Sequence, residues 1–321
     1  MWQQELAQAV TSVTELCQLL ELDVEQIKLP VGVGGNFKLK VPRAFVARMQ
    51  VGDYQDPLLL QVLPGYQEDL VQDGYTNDPL AEASFNPCSG LLHKYYGRVL
   101  LVLTGACAIN CRYCFRRHFP YSDNNSKNNW VAIRKYILAD PSITELILSG
   151  GDPLLLSDKY LARIVDELGQ LTQITRLRIH SRIPVVLPSR ISDDLLGVFQ
   201  AFKRKIVLVI HTNHPRELNA EVAVVLNKLR LIGITIFNQA VLLKGINDHQ
   251  DTLVELSEVL FNAGVIPYYL HVLDKVQGAA HFAVARRRAK QLHAMVSNTL
   301  PGYLVPRLVH EVAGAKAKVA L

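Results

Sequence analysis

The chain of 321 residues carries 34 Lys and Arg against 29 Asp and Glu, a formal net charge of +5, with 49% hydrophobic and 20% charged residues. That balance excludes a disordered chain, supplies a sizeable core, and suits small anionic ligands better than a nucleic-acid surface. The longest apolar stretches, such as 99–103, are strand-length rather than membrane-spanning, and no basic-then-apolar leader opens the chain, so a cytoplasmic location is expected.

Residues 1–90 read as a helical extension, with a helix over 5–20, a turn at Gly32–Gly35, and loop punctuation at Asp56-Pro57, Leu63-Pro64-Gly65 and Asn86-Pro87. A strand-then-helix rhythm follows. Strand-like runs fall at 98–104, 145–149, 174–180, 205–211, 234–240 and 266–272, and after the first they start 29, 31, 29 and 32 residues apart. Amphipathic helices are predicted over 158–171, 193–202, 217–231, 252–263 and 284–298, with a short last strand over 303–309. Such alternation implies parallel strands with right-handed crossovers. Each of the six strands is followed by chemically capable residues: the cysteines after the first, Ser149-Gly150-Gly151-Asp152, His180-Ser181-Arg182, His211-Thr212-Asn213-His214, Asn238-Gln239, and His271 with Asp274. Strand ends converge on one rim in a barrel, whereas a doubly wound sheet uses mainly its switch point. The decoration of all six ends therefore favours an α/β barrel short of eight strands.

There are five cysteines, an odd number that argues against a disulfide framework. Cys17 and Cys88 read as small buried residues. Cys107, Cys111 and Cys114 share one loop in a CxxxCxxC spacing, close enough to wrap a single soft metal centre. Structural zinc wants four ligands, and His118 is the one nearby candidate for a fourth. An iron–sulfur cluster on three thiolates leaves one iron open for an outside ligand. In the segment after the second strand, two glycines permit close approach to a ligand, and Asp152 can also cap the next turn. The Arg286-Arg287-Arg288 run with Lys290 reads as a solvated helix face.

With Tyr113 at the aromatic position, the cysteine loop resembles the CxxxCxΦC signature of the radical S-adenosylmethionine superfamily. The resemblance implies a partial (β/α)6 barrel of the TIM type, a [4Fe-4S] cluster on Cys107, Cys111 and Cys114, and S-adenosyl-L-methionine bound at the open iron. Ser149, Gly150, Gly151 and Asp152 resemble the segment that contacts the methionine amino group. From about residue 91 onward the chain is similar to lysine 2,3-aminomutases, through Cys-Arg-Tyr-Cys-Phe-Arg-Arg (111–117), Leu-Pro-Ser-Arg (187–190), His-Thr-Asn-His-Pro (211–215) and Pro-Tyr-Tyr-Leu (267–270).

That likeness implies a second cofactor, pyridoxal 5′-phosphate, on a lysine near the C-terminus: Lys318 by its spacing from the last strand, with Lys316 the rival. It implies Arg116 for the substrate α-carboxylate, with Arg117 at the surface, and Asp274 and Glu311 for an ε-ammonium. Lys94, Arg98, Arg190 and Gln239 match positions that bind the cofactor phosphate or line its pocket, and His211 one near S-adenosylmethionine. Two carboxylates around one ammonium select a dibasic amino acid. The implied organisation is an extension over 1–90, the barrel over 91–285 and a lysine-bearing segment over 286–321.

The length resembles the short, EpmB-like form, which makes (R)-β-lysine from L-lysine for elongation factor P and its lysyl-ligase. A flavodoxin- or ferredoxin-type reductant is implied, and neither nucleic acid nor membrane. The alternatives are an aminomutase for another amino acid such as glutamate, or an iron–sulfur RNA-binding regulator, although no aromatic–basic interleaving supports the latter.

Overall fold

Long runs of Val, Ile and Leu form the strands of a nine-stranded sheet: β1 Leu91–Tyr95, β2 Arg98–Thr104, β3 Glu145–Gly150, β4 Arg176–Ser181, β5 Lys205–Ile210, β6 Thr235–Leu242, β7 Ile266–Val272, β8 Arg307–His310 and β9 Val319–Ala320. The structure, a computed structural model, describes residues 1–31, 37–124, 126 and 129–321, so the turn expected at Gly32–Gly35 lies outside the described residues. Strands follow chain order, with β2 to β8 parallel and β1 and β9 antiparallel at the two edges. Helices Trp130–Ala139, Asp158–Gly169, Asp193–Ala201, Ala220–Leu231, Gln250–Asn262 and Arg286–Thr299 make the six crossovers. Side-chain caps start three of them, with Ser157, Ser192 and Asn219 accepting from Tyr160 N, Leu195 N and Val222 N at 3.3, 3.3 and 3.0 Å.

The sheet curls. Laid flat, β1 and β8 would stand about 34 Å apart at about 4.8 Å per step. Instead Lys94 of β1 pairs at 3.2 Å with Glu311, one residue beyond β8. This is the partial barrel expected, a (β/α)6 array with a further parallel strand and an antiparallel strand at each edge.

Several boundaries differ from expectation for local reasons. The helix expected over 5–20 is two, Trp2–Ala7 and Val13–Leu19. Between them Val10 pairs with Val41 through two backbone hydrogen bonds of 2.8 and 2.9 Å, and Ser12 caps the second helix. The helix expected from 217 starts at Ala220, because Pro215–Glu217 form a separate 3₁₀ turn that points the Glu217 carboxylate inward. The last strand begins at Arg307, since Gly302–Leu304 coil and Pro306 offers no N–H.

Residues before β1 share the barrel's apolar core: Trp2, Leu16, Phe45 and Leu58 pack in one cluster with Leu101, Leu177 and Leu308. They also send three buried acids toward barrel arginines. Asp56 pairs with Arg216 at 2.6 Å, Glu68 with both Arg112 and Arg117, and Glu82 with Arg116 at 2.8 Å. No helix among the described residues is long and apolar enough to cross a membrane.

Candidate active site

The cysteine loop leaves the end of β2 and is pinned by the end of β3. Gly151 N donates to Thr104 O at 2.6 Å and Asp152 N to Ala106 O at 2.8 Å. A Cβ at Gly151 would lie 2.3 Å from Ala106 O, and one at Gly150, where φ is +124°, 2.4 Å from Thr104 O. Only glycines fit here. The Asp152 carboxylate is fully engaged, accepting from Ser181 Oγ and Arg182 N at 2.8 Å, Leu154 N at 3.1 Å and Ile183 N at 3.2 Å. Burial lifts it to about 6 against the pull of those bonds. Its side chain thus takes the capping role and ties β3 to β4.

Behind the loop lies a buried polar network. Arg182 donates to Cys111 Sγ at 2.7 Å, to Gln61 Oε1 at 2.6 Å and to Glu217 Oε2 at 2.9 Å. The Tyr113 hydroxyl accepts from Asn213 at 2.7 Å and donates to Gln61 at 3.4 Å. Burial, with the neighbouring thiols adding, raises Cys107, and likewise takes Cys114 to about 11. Among the described residues no three His, Cys, Asp or Glu side chains stand in metal-holding geometry, so ligation would draw the sulfurs together and release their protons. The donor set fits an iron–sulfur cluster: three soft thiols on one loop, beside the cations Arg112, Arg116, Arg117 and Arg182. His118 turns away to Gln277 O at 3.2 Å and joins no such set.

Across the barrel mouth, the β8–β9 hairpin returns Lys318 over the strand ends. Its registers are Val309 with Ala320 and His310 with Val319, and Gly314, at φ +77°, makes the turn. The Lys318 ammonium pairs with Glu311 Oε1 at 2.5 Å and lies 5.6 Å from the centre of the Tyr269 ring, whereas Lys316 is exposed. Burial would lift the Glu311 carboxyl, but Lys318 and Lys94 outweigh it and hold it at about 2. Asp274 goes the other way, pushed to about 7 by burial and by Glu311. His211, 3.1 Å from the Gln239 amide, is lowered to about 3 by burial and by the charges of Arg182, Lys318 and Arg116, so it is neutral. Nε2 of both His180 and His271 finds no hydrogen-bond partner among the described residues, although both rings feel Lys318. Buried unpaired nitrogens beside a lysine amine fit a polar aromatic cofactor such as pyridoxal phosphate. Arg98 stacks on Tyr95 at 4.7 Å, and the Tyr95 hydroxyl is bonded to Glu311.

Arg116 is buried, with Nε and Nη2 each 2.8 Å from a Glu82 oxygen and Nη1 turned to Ser149 Oγ at 3.3 Å. Two expectations are corrected. Arg117 is not a surface residue, for its side chain is buried against Glu68. Arg190 does not reach the mouth: its guanidinium donates to Leu154 O and Leu156 O, pairs with Asp158 at 2.7 Å and stacks on Trp2. Gln61, Glu82 and Glu217 escaped the sequence reading, and Arg182 entered it only as one of the polar residues that follow the third strand.

Residues 101–256 match the Radical SAM superfamily. The L-lysine 2,3-aminomutase of Escherichia coli (strain K12) is 46% identical over all of this chain and 94% of that protein. That of Haemophilus influenzae is 41% identical over 99% and 94%, and that of Clostridium subterminale 31% over 99% and 76%. A radical SAM methyltransferase structure from Sphaerobacter thermophilus aligns with 68% of each chain at a TM-score of 0.49 and 15% identity, too slight a likeness to bear on the reaction. On relatives of 41% and 46% identity along nearly all of both chains, this chain belongs to the lysine 2,3-aminomutase family of radical S-adenosylmethionine proteins.

Proposed function

We propose that this chain converts L-lysine to β-lysine as a radical S-adenosylmethionine and pyridoxal phosphate-dependent 2,3-aminomutase. One observation carries the reading: the cysteine loop, Arg116, the Asp274–Glu311 pair and Lys318 all border the same barrel mouth. Asp274 lies within electrostatic reach of Glu311, Lys318 and Lys94, and also of Glu82, the partner of Arg116. Cys107, Cys111 and Cys114 would hold the cluster, Ser149, Gly150, Gly151, His211 and Gln239 would border S-adenosylmethionine and the cofactor ring, and Lys318 would hold pyridoxal phosphate, with Lys94 and Arg98 the nearby cations for its phosphate. When bound, these groups supply a substrate radical and a conjugated carrier for the migrating nitrogen.

The chain's own part is placement. Arg116 offers a planar fork for the α-carboxylate, and Asp274 with Glu311 takes the ε-ammonium, fixing a dibasic substrate by both ends. The same two acids would repel the side chain of glutamate. Neutral His211 and His271 let the mouth accept a charged substrate without adding a competing cation. We further propose the (R) product, its transfer to elongation factor P through that protein's lysyl-ligase, and an external flavodoxin- or ferredoxin-type reductant. The resemblance to the short aminomutases supports these finer assignments. Anaerobic protein given reductant, both cofactors and L-lysine should accumulate β-lysine, with L-glutamate left untouched. Turnover of glutamate but not lysine would overturn the substrate assignment.

A further inference from the structure

We propose that Glu82 is a positioning residue for the substrate α-carboxylate, holding one edge of the Arg116 guanidinium so that its other edge faces the barrel mouth. The inference rests on the reading of Arg116 as the carboxylate-binding residue.

A guanidinium presents five N–H donors in a rigid fork, and its orientation decides where a carboxylate can dock. Glu82 takes the Nε–Nη2 edge with two bonds of 2.8 Å. Among the described residues, the remaining edge has hydrogen-bond contacts with Ser149 Oγ at 3.3 Å and Gly150 O at 3.5 Å, long contacts that leave it able to take an anion. Phe115 and Phe119 flank the guanidinium at 5.0 and 5.7 Å, so its plane is held as well as its edge.

The segment that delivers Glu82 is built for the purpose. Ala81 sits in the left-handed region at φ +50°, ψ +40°, a conformation that non-glycine residues rarely adopt. Asp78 fixes the turn by accepting from Glu82 N at 2.9 Å and Ala83 N at 3.2 Å, and Ser84 Oγ donates to Ala81 O at 2.7 Å. Phe85, at the end of the same turn, lies under the Lys94 ammonium at 5.7 Å. One strained turn therefore supports the groups at both ends of the mouth. A single-point ion pair would neutralise Arg116 equally well; a bidentate one from a strained turn also sets its direction.

The test compares two ligands on protein loaded with cluster and pyridoxal phosphate, by anaerobic calorimetry without S-adenosylmethionine so that nothing turns over. L-Lysine carries the carboxylate, and 1,5-diaminopentane is the same chain without it. Glu82→Gln should weaken L-lysine about tenfold or more, the loss expected for a displaced charge-assisted hydrogen bond, and leave 1,5-diaminopentane unchanged. In turnover the variant should raise KM with kcat falling less. Glu82→Asp should fall between the two, and it decides the matter if the Gln variant does not fold. Tighter lysine binding in Glu82→Gln would show Glu82 to be a competitor for Arg116, and equal loss of both ligands would reduce it to a structural ion pair; either overturns the proposal. Arg116→Lys separates the failures. If it weakens L-lysine selectively while Glu82→Gln does not, only the role of Glu82 fails; if neither is selective, the reading of Arg116 fails.

Discussion

Asp274 and Glu311, the two acids proposed for the ε-ammonium, are shifted in opposite directions, because Lys318 and Lys94 pair with Glu311 whereas burial and Glu311 itself act on Asp274. An acid whose folded value is lifted from its ordinary 3.8 to about 7 keeps its proton in the native state over that window while the unfolded chain has lost it. Native stability therefore falls as pH rises through the window, and Asp274→Asn should flatten that slope in denaturant unfolding curves of the ligand-free protein. An incoming ε-ammonium favours the ionised acid, so L-lysine affinity should rise with pH through about 7, and the Asn variant should bind weakly with no inflection there. At the lysines, borohydride treatment of cofactor-loaded protein should leave the phosphopyridoxyl mass on Lys318, should still do so in Lys316→Ala, and should leave none in Lys318→Ala. These residues were singled out through the resemblance of the chain to lysine 2,3-aminomutases, since a lysine or an acid near a chain end carries no signal of its own. Glu82 and Gln61 were not, since their partners lie 34 and 121 residues away and no local pattern encodes a tertiary ion pair.

At the scale of elements, the strands of the barrel were readable because short apolar runs, such as the five residues after Arg98 in β2 and after Lys205 in β5, recur between amphipathic helices at near-even spacing. The broken N-terminal helix was not readable, because its interruption comes from pairing with Val41 across the fold. The junction of β3 with the cysteine loop is the most constrained element boundary. Gly151→Ala would drive a methyl group into Ala106 O, overpacking that should cost about 1–3 kcal/mol and displace Cys107. The expected result is a lower melting temperature together with reduced iron content after reconstitution. Full iron content in the Ala variant would show that the loop tolerates the shift.

For the whole molecule, the residues before β1 behave as part of the barrel's core and charge balance. Removing 1–90 would strip Arg112, Arg116 and Arg117 of their buried carboxylates, at about 3–5 kcal/mol for each broken pair, which together rival the about 5–15 kcal/mol stability of an entire domain. A chain beginning at 91 should therefore lack a cooperative unfolding transition, as read by circular dichroism; a cooperative one would mark it as an independent unit. Charge neutralisation at this range leaves no periodic trace, which is why the sequence suggested only an appended extension. On the proposed function, this single mouth joins radical generation at the cysteine loop to nitrogen migration at Lys318. L-Lysine deuterated at carbon 3, turned over anaerobically with both cofactors, puts that coupling to the test. The prediction is β-lysine with its amino group on carbon 3 and deuterium recovered in 5′-deoxyadenosine. Deuterium-free 5′-deoxyadenosine alongside β-lysine, or labelled 5′-deoxyadenosine without any nitrogen shift, would contradict it.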